Sequence, residues 1–429
     1  MRKESVTLRI IIIVVLIALL LIPLVMVQSL IRERQSYRDE AVNDIYQSWA
    51  YNQVIGGPVL TLEKEFQKEK ENGEKYSVLH KQYFLPNKLE VNCELAPEIR
   101  YRGIYEVVLY SAKVNIKGFF NYTEFSEMTK DREGYLSFSI SDLRGIRENI
   151  NLKWSDLNYE VNPGLKSKDI FKNGFYSSVR LNNAQNKYEF DLQILLKGSE
   201  ALEFIPLGQM TDVKVNSKWT NPSFIGSFLP SERKINSDGF AAQWNINHFN
   251  RDYPQVWGNR NYDVYPSSFG VKLLMPVDEY QKTMRTSKYG IMIIMLTFVT
   301  FFMIEVFSKK AIHPIQYSLI GLSLVLFYSI LLSISEYIVF QYSYILSAVL
   351  IIGLISLYVR SIYSNLKIGL TIGTLLLLFY GFMYVILQLQ DYSLLLGNIA
   401  LFIILAAIMY ITRKINWFDI LNNKDNTKT

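Results

Sequence analysis

The sequence predicts a membrane protein of α+β class. Six transmembrane helices are expected, one N-terminal and five C-terminal, with a large inserted β-rich extracytoplasmic domain of sandwich-like build. Three observations carry that expectation. Half of the 429 residues are hydrophobic, which suits a chain that is part membrane and part soluble. Apolar runs of spanning length lie at the N-terminus and through the last third of the chain. Between them, apolar and polar residues alternate at the period of strands, with Gly, Pro, Asn and Asp separating the runs.

The first element is a transmembrane anchor over residues 1–28. Arg2, Lys3 and Arg9 precede the apolar run Ile10–Val27. A cleaved signal peptide opens the same way, but this run is span-length and no small-x-small cleavage site follows it. An uncleaved helix with a cytoplasmic N-terminus is expected. Residues 29–53 contain neither Pro nor Gly and carry Tyr37, Val42, Ile45, Tyr46 and Trp49 at roughly helical spacing. They predict a helical stalk, ended by Gly56, Gly57 and Pro58.

Strands are expected throughout residues 54–275. PVLTLEKEF and KYSVLHKQYF flank Asn72-Gly73, a strong hairpin signal, and the charges from Glu63 to Lys75 read as its solvated tip. LEVNCEL, GIYEVVLYSAKVNIKGFF, YLSFSISDL, KYEFDLQILL, MTDVKVNSKW, FIGSFLP, FAAQWNI and VKLLMPV read the same way. Many short strands at such spacing suggest one or two sandwiches.

Residues 276–288 read as a return stalk, 289–411 as a five-helix transmembrane bundle and 412–429 as a polar cytoplasmic tail. The five spans are Gly290–Phe307, Tyr317–Ile334, Ile338–Val359, Ile368–Leu387 and Ser393–Ile411. Alternate connections carry Lys309 with Lys310, Arg360 with Lys367, and Arg413 with Lys414. The intervening ones, around Glu336 and Gln388–Asp391, are acidic or neutral. The positive-inside rule then places both termini in the cytoplasm and the large domain outside.

Composition narrows the chemistry. A net charge of +6 sits largely beside the spans, and no basic patch with base-stacking aromatics accompanies it, so no nucleic-acid partner is expected. Cys93 stands alone, which excludes an intramolecular disulfide. With three scattered histidines it offers no metal-ligand spacing, and neither metal nor cofactor is expected. No G-x-S-x-G elbow and no Ser/His/Asp set of recognisable spacing occurs, so no catalytic residue is named. The lipid bilayer is the expected partner; an envelope protein or a cell-wall component stays open, as does the oligomeric state.

Two groups of residues stand out. In the membrane half, Glu305, His313 and Gln316 gather near one end of the spans, and Glu336, Gln390 and Asp391 near the other. Ionisable groups in or beside spans are costly, so they either mark a coupling cluster or end helices at the wetted interface. In the outer domain, Arg102 with Glu106 and Asp142 with Arg144 read as acid–base pairs or as structural ion pairs. Arg251, Tyr253 and Trp257, in the amide- and aromatic-rich segment NINHFNRDYPQVW, could stack on sugars or a peptide, or could equally build core.

The chain resembles the CreD family of bacterial inner-membrane proteins from its first span to its tail. The likeness is densest in RGIYEV, SDLRGI, PLGQMTDVKVNSKWTNPSFIGSFLP and NRDYPQVW. It continues through PVDEYQKTMR, LTFVTFFMIEV with IHPIQY, LLSISEY, QDYSLLLG and MYITRKINW. One departure stands out: the family often has His after the Glu of the Ser-Glu pair, where Tyr337 stands here. The resemblance implies an inner-membrane location and a role in envelope integrity, colicin tolerance and responses to cell-wall antibiotics, downstream of a two-component system. Both ends of the outer domain read as entering the membrane through continuous helices, so the expected function is non-enzymatic coupling of a periplasmic β domain to a transmembrane bundle. The alternative is a transporter or flippase of a lipid or envelope precursor.

Overall fold

The computed structural model describes residues 6–69, 75–121, 132–181, 186–258, 260–275, 279–308, 310, 312–388 and 393–413. Asn72-Gly73, Gln390, Asp391 and most of the tail lie outside the described residues. The chain divides into two compact units, Met1–Asp39 with Val277–Thr429, and Glu40–Pro276.

The second unit is β-rich. Its strands are β1 (Gln53–Glu69), β2 (Lys75–Phe84), β3 (Lys88–Arg102), β4 (Tyr105–Asn121), β5 (Arg132–Ile140) and β6 (Asn151–Trp154). Then come β7 (Leu157–Tyr159), β8 (Asn162–Pro163), β9 (Gly174–Leu181), β10 (Lys187–Ser199), β11 (Ala201–Phe204) and β12 (Met210–Ser217). The last are β13 (Pro222–Gly226), β14 (Glu232–Asn236), β15 (Gly239–Asn247), β16 (Val256–Gly258) and β17 (Phe269–Leu273). One sheet runs β13-β17-β11-β1-β5-β9-β8, with β2 beside β1 and β16 beside β2. The other runs β14-β15-β12-β3-β4-β10-β6-β7. Pairing is antiparallel except for β1 with β11 and β3 with β12.

Alternation explains why these segments become strands with one dry face. β10 buries Tyr188, Phe190, Leu192, Ile194 and Leu196 while its intervening residues face outward. Those side chains, with Val114, Val213 and Trp244 of the same sheet, share one core with Leu60, Phe138, Phe204 and Val271 of the other. Trp244 joins the two: its ring lies 5.8 Å from Phe224 and 5.6 Å from Phe269, and its indole N–H donates to the Phe228 carbonyl at 3.1 Å. The β3–β4 hairpin closes on Gly103 with φ +62°, the positive φ that a two-residue primed turn requires. The strand-period segments of the sequence lie wholly or in part on these strands; of FIGSFLP only Phe224–Gly226 does, on β13. β6, β7, β8, β11, β14 and β16 escape the sequence because two- to five-residue strands carry too little period to read, and the eight-residue β9 escapes it because Ser177-Ser178 interrupts the apolar alternation.

The first unit is helical. Helix α1 (Val6–Trp49) contributes residues up to 39 here and its last turns to the β unit. It is followed by α2 (Glu279–Lys288), α3 (Gly290–Ser308), α4 (Pro314–Ser335), α5 (Phe340–Tyr363), α6 (Leu366–Gln388) and α7 (Ser393–Thr412). Four of these, α1, α4, α5 and α6, are long and apolar enough to cross a membrane; α2 and α3, bent by 40°, pass together as a fifth. Leu20 and Leu24 of α1 pack with Phe298, Phe301, Leu324, Tyr328, Tyr344, Leu376 and Tyr380. Gly321 makes the approach of α1 to α4 close: a Cβ there would lie 2.2 Å from Leu20 Cδ1.

Candidate functional site

The polar residues of the helical unit resolve into two junctions and a cap. Glu305, near the C-terminal end of α3, is only 4% exposed. Its carboxylate accepts from Arg9 of α1 and, at 3.0 Å, from the Tyr317 hydroxyl of α4. A carboxylate in an apolar bundle needs such partners, since unpaired burial of the charge is costly. Arg9, which the sequence presents only as a flanking charge, is thus the half-buried partner of a buried carboxylate 296 positions away.

The other junction lies at the far end of α4, nineteen positions or about 28 Å along the helix from Tyr317. Glu336, the residue that caps α4, accepts from the Tyr280 hydroxyl of α2 at 3.2 Å, and Arg34 Nε of α1 lies 3.9 Å from it. The neighbouring Glu279 accepts from the Phe340 amide at 3.1 Å, placing a carboxylate on the open N-terminus of α5. Residues of PVDEYQKTMR and LLSISEY, far apart in sequence, therefore meet.

His313 and Gln316 take a different part. His313 Nδ1 accepts from the Ile315 amide at 3.3 Å, and Gln316 Oε1 accepts from the His313 amide at 3.0 Å. This reciprocal cap, with Pro314 at the first helical position, starts α4. Tyr337 is 79% exposed.

In the β unit, Arg102 pairs with Asp44 at 2.9 Å. Glu106 sits opposite Tyr101 on β4 and is exposed, so the expected Arg102–Glu106 pair is replaced by one to the end of α1. Asp142 and Arg144 do meet. Arg144 donates to Asp142 through Nε at 2.9 Å and Nη2 at 2.6 Å, and through Nη1 to the Gln47 carbonyl at 2.6 Å. Asp142 also accepts from the Tyr51 amide at 3.0 Å. Hydrogen bonds from Arg144, then from those amides, hold its carboxyl below the usual range. Gln53 Nε2 donates to the carbonyls of Asp142 and Lys197, each at 3.0 Å. Trp49 has Arg100 at 4.4 Å and Lys197 at 3.9 Å from its ring. Together these contacts form a collar around the chain from Asp44 to Val54.

The proposed stacking surface is corrected. Arg251, Tyr253 and Trp257 are 8%, 6% and 6% exposed. Arg251 donates to the Tyr253 and Pro254 carbonyls and, at 2.6 Å, to Gln255 Oε1; burial pushes its guanidinium down to about 10. The Tyr253 hydroxyl donates to the Pro206 carbonyl at 3.2 Å and meets Ser267 Oγ at 3.0 Å. Trp257 packs on Tyr83 and Tyr262, each at 5.6 Å. β16 docks on β2 and these three side chains turn inward, so they present no stacking surface; Phe249 of the same segment stays 86% exposed.

Two polar features escaped the sequence. Asp169 accepts from the Tyr83 hydroxyl, Ser167 Oγ and, at 3.1 Å, Lys81 Nζ. The Ser167 and Tyr83 bonds lead in holding its carboxyl at about 2. On the outer face of the second sheet, a cavity of about 430 Å³ is lined by Asn115, Asn151, Lys153, Asn158, Asp191 and Gln193. Asn115, Gln193 and Asn151 lie in one cross-strand row. No linear motif could show either group, since the first joins β2 to the loop before β9 and the second is assembled by strand register. Among the described residues, no group of three or more His, Cys, Asp or Glu is placed to hold a metal ion.

The family model described as "Inner membrane protein CreD" matches residues 5–418. The Inner membrane protein CreD of Escherichia coli (strain K12) is 29% identical over 420 residues, covering 94% of this chain and 91% of that protein.

Proposed function

The chain belongs to the CreD family of inner membrane proteins, and on that premise we propose a non-enzymatic role in cell-envelope integrity, with tolerance to envelope stress, antibiotics and colicins. Its β unit, sandwich-like and periplasmic, passes its state to a six-span bundle whose two termini are cytoplasmic. The spans are α1, α3, α4, α5, α6 and α7, and the basic connections lie on the cytoplasmic side.

One observation carries the coupling. Helix α1 is continuous from Val6 to Trp49 and is gripped at both ends, by Glu305 and Glu336 within the helical unit and by the Asp142 collar within the β unit. A helix with contacts in each unit is the kind of part that could transmit a change between them. The transporter or flippase reading is less well supported. Between α4, α5 and α6 the space is filled by Phe327, Tyr328, Tyr344 and Tyr380, whose rings pack together at 4.6–6.5 Å.

The test is a flexible Gly-Ser insertion between Asp39 and Glu40, expressed in a strain deleted for this protein and challenged with a cell-wall antibiotic and a leakage dye. Loss of rescue at unchanged membrane abundance is expected. Full rescue would refute coupling through α1.

A further inference from the structure

We propose that the α5–α6 hairpin holds one anionic phospholipid of the bilayer, an acyl chain in the groove between the two helices and the phosphate on Arg360. The groove has a volume of about 440 Å³. Val349, Ile352, Gly353, Ser356 and Arg360 line it from α5, and Gly369, Gly373 and Leu377 from α6. The α5 positions are spaced i, i+3, i+4, i+7 and i+11 and the α6 positions i, i+4 and i+8, so each helix offers one continuous stripe.

Missing side chains make the groove. A Cβ on Gly353 would meet nothing within 4 Å, whereas one on Gly373 would press to 2.7 Å from Ser356 Oγ. The rims point away from the protein: Leu357 is 65% exposed, Leu370 62% and Leu377 59%. For helices that span a membrane, such a surface is bathed by acyl chains rather than water.

Length and charge select the occupant. From Val349 to Arg360 the groove runs eleven positions, about 16 Å, close to one leaflet of a hydrocarbon core about 30 Å thick. Its polar end lies at the α5–α6 turn, where Arg360 and Lys367 are both exposed. Among the described residues Arg360 has no carboxylate partner. An arginine there matches a phosphate bidentately, and basic pockets between spans hold anionic head groups. Ser356 Oγ, shielded from solvent at mid-groove, likewise has no hydrogen-bond partner among the described residues. This inference goes beyond the envelope role and needs only that α5 and α6 cross the membrane.

The experiment uses the full chain in nanodiscs of equal phosphatidylglycerol and phosphatidylcholine, with retained lipids counted by native mass spectrometry. Wild type should retain one phosphatidylglycerol, preferred about five-fold over phosphatidylcholine, whose choline cation opposes Arg360 beside the same phosphate. Arg360→Gln should retain a lipid without preference. Gly353→Leu, which fills open space, should retain none at an unchanged melting temperature. Equal retention and preference in all three proteins would overturn the site. So would a dimer in wild type that Gly353→Leu dissociates with no change in bound lipid, since a second copy would then be the occupant. Should Gly353→Leu fail to fold, Arg360→Gln decides alone: preference retained overturns the proposal.

Discussion

Helix α1 is anchored twice, and the two anchors use opposite physics. In the helical unit Arg9 meets a carboxylate that is 4% exposed, inside an apolar bundle. In the β unit the helix end is held by Arg102–Asp44, with side chains 53% and 44% exposed, and by the cation–π contacts of Trp49. Water competes for both members of the second pair and screens them; in the first it reaches only Arg9, whose side chain is 28% exposed. Removing one member should therefore be severe in one place and mild in the other, although both are arginine–carboxylate pairs on the same helix.

The largest effect is expected from Arg9→Ala, which strands Glu305 without its cation. A loss of about 3–5 kcal/mol is expected for a broken buried pair, read from chemical unfolding of the full chain in detergent. Combining it with Glu305→Leu should recover most of that loss, because no unpaired charge remains. No recovery in the double variant would mean that Glu305 is held chiefly by Tyr317 and not by the ion pair.

Gly321→Leu comes next, sharpening the comparison without any charge. Its side chain would collide with Leu20 and Phe298, pushing α1 off α4 at a cost of about 1–3 kcal/mol. Cysteine cross-linking between α1 and α4 should weaken in step with stability; an unchanged cross-link would place the contact elsewhere.

A third measurement concerns acid. Asp169 is held at about 2 against an ordinary 3.8, so it contributes stability above that ordinary value and loses it as pH falls through about 2. Asp169→Asn should flatten the acid dependence of β-sheet circular dichroism between about pH 4 and pH 2. A slope identical to wild type would show that other carboxylates govern acid unfolding. The smallest effect is expected for Arg102→Ala, at most about 1 kcal/mol and diminished further by salt. A loss as large as that of Arg9→Ala would break the comparison outright.

Much of the architecture was legible because it is written in local period. The apolar runs became α1 and α3 to α7, and β2 and β10 cover segments whose alternation is evident by eye. The site was legible only in part. Glu305 and Glu336 stand out as charges beside apolar runs, and Asp142 with Arg144 are close enough in sequence to be seen as a pair. Their partners could not be read: Arg34 meets Glu336, and Arg102 meets Asp44 instead of Glu106, through contacts that no spacing rule anticipates. Arg251, Tyr253 and Trp257 misled because density of aromatics reports neither exposure nor burial.

By itself the sequence determined where the chain is apolar enough to cross a membrane and where it alternates, because both depend on neighbours within a few positions. It also determined the family, through motifs spread from the first span to the tail. Only the tertiary structure decided which charges are paired, which aromatics are core and where a groove opens between α5 and α6. Those outcomes depend on groups brought together from distant positions, as Arg9 and Glu305 are across 296 residues, and on the solvent that each place excludes.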